Sequence, residues 1–108
     1  LLHYHTNHTN NMQEGYIGAA LMMKAKHTKS IYNKWKYFQQ GKKKLEHAIK
    51  NYPKSKELRL IRYYIQKNIP SFLNYHKHLE EDAIFLNINK TDKKKDSIIT
   101  IKIKEHTQ

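Results

Sequence analysis

Two histidine runs are the first residues in this chain whose types and spacing suggest chemistry. His3, His5 and His8 form H-x-H-x-x-H, and His76 and His78 form H-x-H. Imidazole nitrogen is a good ligand for zinc, copper or nickel. A working site, however, gives each such histidine an orienting carboxylate or carbonyl, and neither run contains a carboxylate. Surface histidine is therefore the expectation for both, with no metal and no cofactor. The zinc-protease pattern H-E-x-x-H is absent; Glu46-His47 has the reverse order and no second histidine.

The polar detail that constrains most is arginine usage. Nineteen of the 21 basic residues are lysine, and the two arginines, Arg59 and Arg62, stand one helical turn apart. A guanidinium offers a planar fork that pairs with a carboxylate in two bonds, and it tolerates partial burial. Two readings follow. In one, Arg62 bridges to Glu46 in the preceding helix or to Glu80, Glu81 or Asp82 in the next. In the other, the pair binds an anionic ligand, with Tyr63 and Gln66 completing a polar groove. The acidic triplet itself is expected to complement the dipole at the start of its own helix.

Lys36, Lys43 and Lys50 repeat every seven residues and should form one row on one helix. Such a row reads either as a solvated face or as a track for phosphates or another polyanion. Net charge is +12, and its placement is uneven. Residues 1–23 carry only Glu14, residues 24–67 carry fourteen basic side chains against Glu46 and Glu57, and residues 68–89 are net acidic. The positive field thus belongs to the middle of the fold, where it favours anionic partners and disfavours self-association, so a monomer is expected. Exposed aromatics for base stacking are not evident among the lysines, because Trp35 and Phe38 read as core.

Catalytic arrangements are lacking on this reading. The chain has no cysteine, no glycine-rich phosphate loop and no serine in a recognisable nucleophile setting. Enzymatic activity is not expected.

The elements that must position these residues are helices. Three glycines and two prolines leave few breakers, and aromatics at 11% argue against disorder. A first helix is expected from about Met12 to His27, with Asn11 as N-cap, Glu14 completing a capping-box-like pair, and a stripe of Tyr16, Ala19, Ala20, Met23 and His27. Gly15 and Gly18 would allow a neighbour to come close. A polar turn around Ser30 precedes a second helix, about Lys34 to Tyr52, with Trp35, Phe38, Leu45, Ala48, Ile49 and Tyr52 inward, Gly41 inside that stripe, and Pro53 ending it. A third helix, about Lys56 to Asn68, is capped by Ser55 and apolar on two sides through Leu58, Ile61, Ile65, Leu60 and Tyr64. A fourth, about Leu79 to Asn87, turns Leu79, Ala83 and Leu86 inward. Met12, Met22 and Met23 read as core filler. Residues 1–10 form a flexible end, residues 11–88 the helical domain, and residues 89–108 a basic linker and poorly ordered tail. Ile99, Ile101 and Ile103 alternate like a strand there, yet a lone strand would have no partner, so a short helix is preferred.

The stretch AIKNYPKSKELRL, residues 48–60, resembles the junction between tetratricopeptide repeats, where a helix ends a few residues before a proline and the next helix follows. Five further stretches in order, YIGAALMMKAK at 16–26, YFQQGKKKLEHAI at 37–49, ELRLIR at 57–62, NIPSFLNY at 68–75 and LEED at 79–82, resemble a family of small, uncharacterised bacterial helical proteins. That resemblance implies a small helical fold, often preceded by an export signal and one more helix, and it implies no activity. The chain departs from the pattern at Asn74, where glycine is usual, at His76 and His78, where short polar residues would cap the fourth helix, and in its isoleucine-rich end. Because Leu1 is not methionine, a processed product or fragment is expected, and export to the periplasm fits the resemblance.

The expectation is thus an all-α, antiparallel bundle of about four helices in tetratricopeptide-like pairs, without a membrane span. Its expected function is to hold a protein or peptide partner in a groove between helices. The alternative is a basic module that binds nucleic acid or another anionic surface. Arg59, Arg62, Tyr63, Gln66, Lys36, Lys43 and Lys50 are the candidate contacts.

Overall fold

The computed structural model describes residues 2–87 and 101–105, with side chains from residue 10 onward. Among them the regular secondary structure is all helix, joined by short turns, with no strand. Helix α1 spans Leu2–His27, α2 Ile31–Asn51, α3 Lys56–Asn68 and α4 Leu79–Leu86, with a 3-10 turn at Ser71–Leu73. Residues 101–105 are also helical, and Ile103 is buried in the common core. This agrees with a short helix there; Ile99 and the linker lie outside the described residues.

Local signals set most of the boundaries. Ser30 begins α2, its hydroxyl accepting a hydrogen bond from the Asn33 amide, and Ser55 does the same for α3 with the Leu58 amide at 3.1 Å. Pro53 and Pro70 follow the ends of α2 and α3. Asn74 and Asn87 adopt φ of 55° and 53°. Asparagine is among the few non-glycine residues that enter this region readily, so asparagine at 74 in place of the expected glycine strains the backbone little.

Two expectations fail at the ends of helices. Asn11 is not a cap, because α1 already runs from Leu2 and carries Asn11 in its interior. A capping residue inside a helix costs only about half a kcal/mol, too little to stop one. Helix α2 starts three residues earlier than expected, at Ile31, because Ser30 caps it.

Helices α1 and α2 form an antiparallel hairpin. Lys34 donates to the Lys26 carbonyl, Gly41 meets Gly18, and His47 meets Glu14. The glycines set the separation: a Cβ on Gly18 would lie 2.6 Å from the Gly41 carbonyl oxygen, and one on Gly41 would lie 2.8 Å from Met22 Cγ. The helices therefore touch backbone to backbone. Consequently the buried stripe of α1 is Gly15, Tyr16, Gly18, Ala19, Met22 and Ala25, while Ala20 and Met23 are half-buried and His27 is exposed. Tyr16 and Ala19 of the expected stripe are buried and the glycines admit close neighbours as expected, but Met22 and Ala25 take the inward places expected for Ala20, Met23 and His27.

The same rotation corrects Trp35, which is 54% exposed. The inward row of α2 is Phe38, Gly41, Leu45, Ala48 and Ile49, and one turn back it continues through Lys34, whose ammonium bonds to α1, and not through Trp35. Helix α3 packs on both α1 and α2. Leu58 reaches Gly15, and Tyr16 donates to Glu57. Every residue from Ile61 to Gln66 is buried, as expected for a helix covered on two sides. Helix α4 runs back along α3. Its inward residue is Asp82, with no exposed surface, while Leu79, Ala83 and Leu86 are only half-buried.

Candidate functional site

Arg62 is 3% exposed and lies between α2 and α4. Its Nε donates to Asp82 Oδ2 at 2.8 Å, its Nη2 to Asp82 Oδ1 at 2.7 Å, and its Nη1 to Glu46 Oε1 at 2.8 Å. All three nitrogens are engaged, two of them in the bidentate fork that distinguishes arginine from lysine. Gln66, one turn along α3, donates to Asp82 Oδ2 at 3.0 Å and accepts the His78 backbone amide at 2.7 Å. Arg59 donates to Asp82 Oδ1 at 3.2 Å, to Glu81 at 3.3 Å and to the Pro53 carbonyl at 3.1 Å, and its guanidinium stacks 4.5 Å from the Phe85 ring. Tyr75 donates to the other oxygen of Glu46. One cluster thus ties α2, α3, the 74–78 connector and α4 together.

The electrostatics of the cluster follow from its pairing. Burial opposes the charge on Arg62, but the hydrogen bonds and charge of Asp82, with Glu46 behind them, outweigh it and hold the guanidinium more firmly protonated than usual. Burial, and then the Glu46 carboxylate, push the Tyr75 phenol above its ordinary range. Hydrogen bonding with His78, 3.2 Å away, lowers Glu81 below the usual carboxylate value.

Asp82 therefore does not act at the surface as a complement to its own helix dipole. Glu80 and Glu81 are exposed, while Asp82 is the buried acceptor at the centre of the cluster. Tyr63 and Gln66 do not form an open groove either, since both are buried. Among the described residues the Tyr63 hydroxyl has no hydrogen-bond partner, and Lys67 lies 5.1 Å from its ring centroid. Sequence alone missed Tyr75, His78 and the central role of Asp82. The signal available was the coincidence of two arginines with one short acidic helix.

Two concave surfaces lie on the fold, and the first of them borders this cluster. One, of about 310 Å³, is lined by Lys42, Glu46, Asn74, Tyr75, His76, Lys77 and His78. There His78 faces Glu81 and, at 4.0 Å, Glu46, so it does have orienting carboxylates, supplied by α4 and α2. No group of three or more histidine or acidic side chains is set to hold a metal among the described residues. The side chains of His3, His5 and His8 lie outside them. The second surface, of about 640 Å³, runs between α1 and α2 and is lined by Glu14, Gln40, Lys43, Lys44 and His47. Glu14 sits 2.8 Å from His47 Nδ1, and Asn51 sits 3.2 Å from Nε2. An oriented imidazole is half of a nucleophile-activating pair, but among the described residues the lining offers it no hydroxyl or thiol.

Lys36, Lys43 and Lys50 are all exposed on α2, as expected, and with Lys44 none of them meets a carboxylate among the described residues. They do not converge with the arginines, which point into the fold. No described helix is long and apolar enough to cross a membrane. Comparison with protein-family models, with curated proteins and with solved structures finds no significant match to this chain.

Proposed function

We propose that this chain is a non-catalytic, tetratricopeptide-like interaction module that holds an acidic polypeptide segment along α2. The observation that carries the reading is the lysine row Lys36, Lys43 and Lys50, with Lys44, beside the α1/α2 groove and without an ion-pair partner among the described residues. Two successive helix hairpins, with α3 leaning on both members of the first, support the repeat-like pairing. The arginine pair does not serve the partner, because its forks are spent on Asp82 and Glu46.

At seven residues per step the row from 36 to 50 extends over about 21 Å, the reach of about six extended residues. Glu14 in the groove disfavours a continuous phosphate backbone and suits a polypeptide, which alternates carboxylates with neutral amides. The test is a titration of a labelled peptide of alternating glutamate and leucine, with poly-dT as competitor. Tight peptide binding that weakens more than about tenfold in Lys36→Gln/Lys43→Gln/Lys50→Gln supports the reading. Binding of poly-dT without the peptide would instead establish the nucleic-acid alternative, and peptide affinity unchanged in the triple variant would overturn the lysine row as the contact.

A further inference from the structure

Ser30 starts α2, and the residues immediately after it are apolar and uncovered. Ile31 is 75% exposed, Tyr32 68% and Trp35 54%. Ile31 and Trp35 are one turn apart on the same face of α2, with Tyr32 beside them. Core packing does not use this face, since the inward row passes through Lys34 and Phe38. Around it stand Lys24, Lys26, Lys29 and Lys36, and no aspartate or glutamate occurs anywhere from residue 24 to residue 45. Among the described residues the tip's polar and ring contacts close within the hairpin itself: Lys34 on the Lys26 carbonyl, Thr28 on the Lys24 carbonyl, and Lys24 over Tyr37.

We infer that the turn end of the α1/α2 hairpin docks on an anionic lipid surface, with Ile31, Tyr32 and Trp35 entering the interface and the surrounding lysines meeting the headgroup phosphates. Shape selects the occupant. The tip of a helical hairpin is convex, so it offers no groove to a peptide, whereas a bilayer deforms around a protrusion. Chemistry selects it too. Base stacking would use Trp35 and Tyr32 but leave Ile31, the most exposed of the three, without a partner. A lipid interface uses all three, because Trp and Tyr favour the headgroup level, aliphatic side chains favour the acyl boundary just below, and lysine stems reach back to the phosphates. The charge complement is one-signed, as attraction to anionic lipid requires. This surface shares only Lys36 with the lysine row proposed to hold a peptide, and its partner belongs to a different class; Ile31, Tyr32, Trp35 and Lys29 take no part in that row, so their variants test this inference alone.

Trp35 is the chain's single tryptophan, so its emission in the full-length chain reports directly on this face. The probes are vesicles of phosphatidylcholine alone and vesicles of equal parts phosphatidylcholine and phosphatidylglycerol. The expected result is a blue shift of emission and co-flotation with the mixed vesicles only. Ile31→Ser/Tyr32→Ser keeps Trp35 and changes only exposed residues. It should stay folded by circular dichroism and lose the blue shift. Lys29→Gln and Lys36→Gln should each weaken partitioning about fivefold. Equal binding to neutral vesicles, or undiminished binding by the Ile31/Tyr32 variant, would overturn the inference. So would emission that ignores the mixed vesicles but responds to poly-dT or to poly-glutamate, and each of those responses would name the other class of partner.

Discussion

The two helix hairpins are held together in opposite ways. Between α1 and α2 the contact is backbone on backbone, with Gly18 and Gly41 removing the side chains that would keep the helices apart. Between α3 and α4 the contact is a buried ion cluster, in which one carboxylate, Asp82, accepts from Arg59, Arg62 and Gln66. The first interface tolerates almost no added volume, and the second tolerates almost no change of charge. The difference follows from helix length. A long helix can bury a continuous stripe of small residues, whereas α4 has eight residues and buries none of its apolar ones fully, so pairing must fix its position.

The largest effect should come from breaking the polar interface. Asp82→Ala leaves Arg62 buried beside Glu46 alone, and loss of one partner of a buried pair costs about 3–5 kcal/mol. A urea midpoint lowered to match is expected, and a midpoint within error of wild type would show that the cluster is not holding α4. Breaking the apolar interface should come next. Gly41→Val pushes a branched side chain against the Gly18 carbonyl and Met22 Cγ, and overpacking of this kind costs about 1–3 kcal/mol. If the hairpin instead accepts valine without loss, the backbone contact is looser than described. Arg62→Lys is milder, since it keeps the charge and loses the fork. About 1–2 kcal/mol is expected, and an identical melting curve would place the value of Arg62 elsewhere.

Tyrosine titration gives the smallest effect and sharpens the comparison from another side. Tyr75 joins the α2 carboxylate of the cluster, and Tyr16 joins α1 to α3 through Glu57. Burial is the first cause of the raised ionisation of both phenols, and the adjoining carboxylate adds to it. A folded-state value above the unfolded one of about 10 contributes stability that is complete below that pH and lost as pH rises toward the folded value. Stability should therefore decline above about pH 10, and the absorbance of two tyrosines should change only as the fold melts. Full ionisation of all eight tyrosines while the circular dichroism remains native would contradict the assigned contacts.

What was legible in the sequence, and what was not, divides along the same line. Ser55, Pro53 and Pro70 act within one turn of themselves, so α3 is bounded as expected. The pairing of Arg62 was legible because a rare residue type at a helical interval next to a short acidic helix leaves few alternatives. The face that α1 buries was legible only in part: Tyr16, Ala19 and the close approach at Gly15 and Gly18 were, and the burial of Met22 and Ala25 in place of Met23 and His27 was not. Periodicity locates bulky apolar residues, but the helix approach was decided by the glycines, which carry no hydropathy signal of their own. Trp35 was misplaced for the same reason: once Gly41 meets Gly18 the rotation of α2 is fixed, and it turns Lys34 inward and Trp35 out. Asp82 was hidden because its two acidic neighbours, Glu80 and Glu81, make all three look like one solvated helix start.

The central claim is that the arginine cluster clamps the fold and that binding belongs to the outer side of α2. A double-mutant cycle on Arg62→Met and Asp82→Leu tests it most directly, with urea stability and binding of the glutamate–leucine peptide measured on each of the four proteins. The expected result is a coupling of about 2 kcal/mol between the two positions, with stability in the double variant recovering much of what either single change loses, and peptide binding unchanged wherever the protein is folded. Coupling near zero, together with loss of peptide binding in a fully stable Arg62→Met protein, would show that the arginine serves a ligand and would contradict the account.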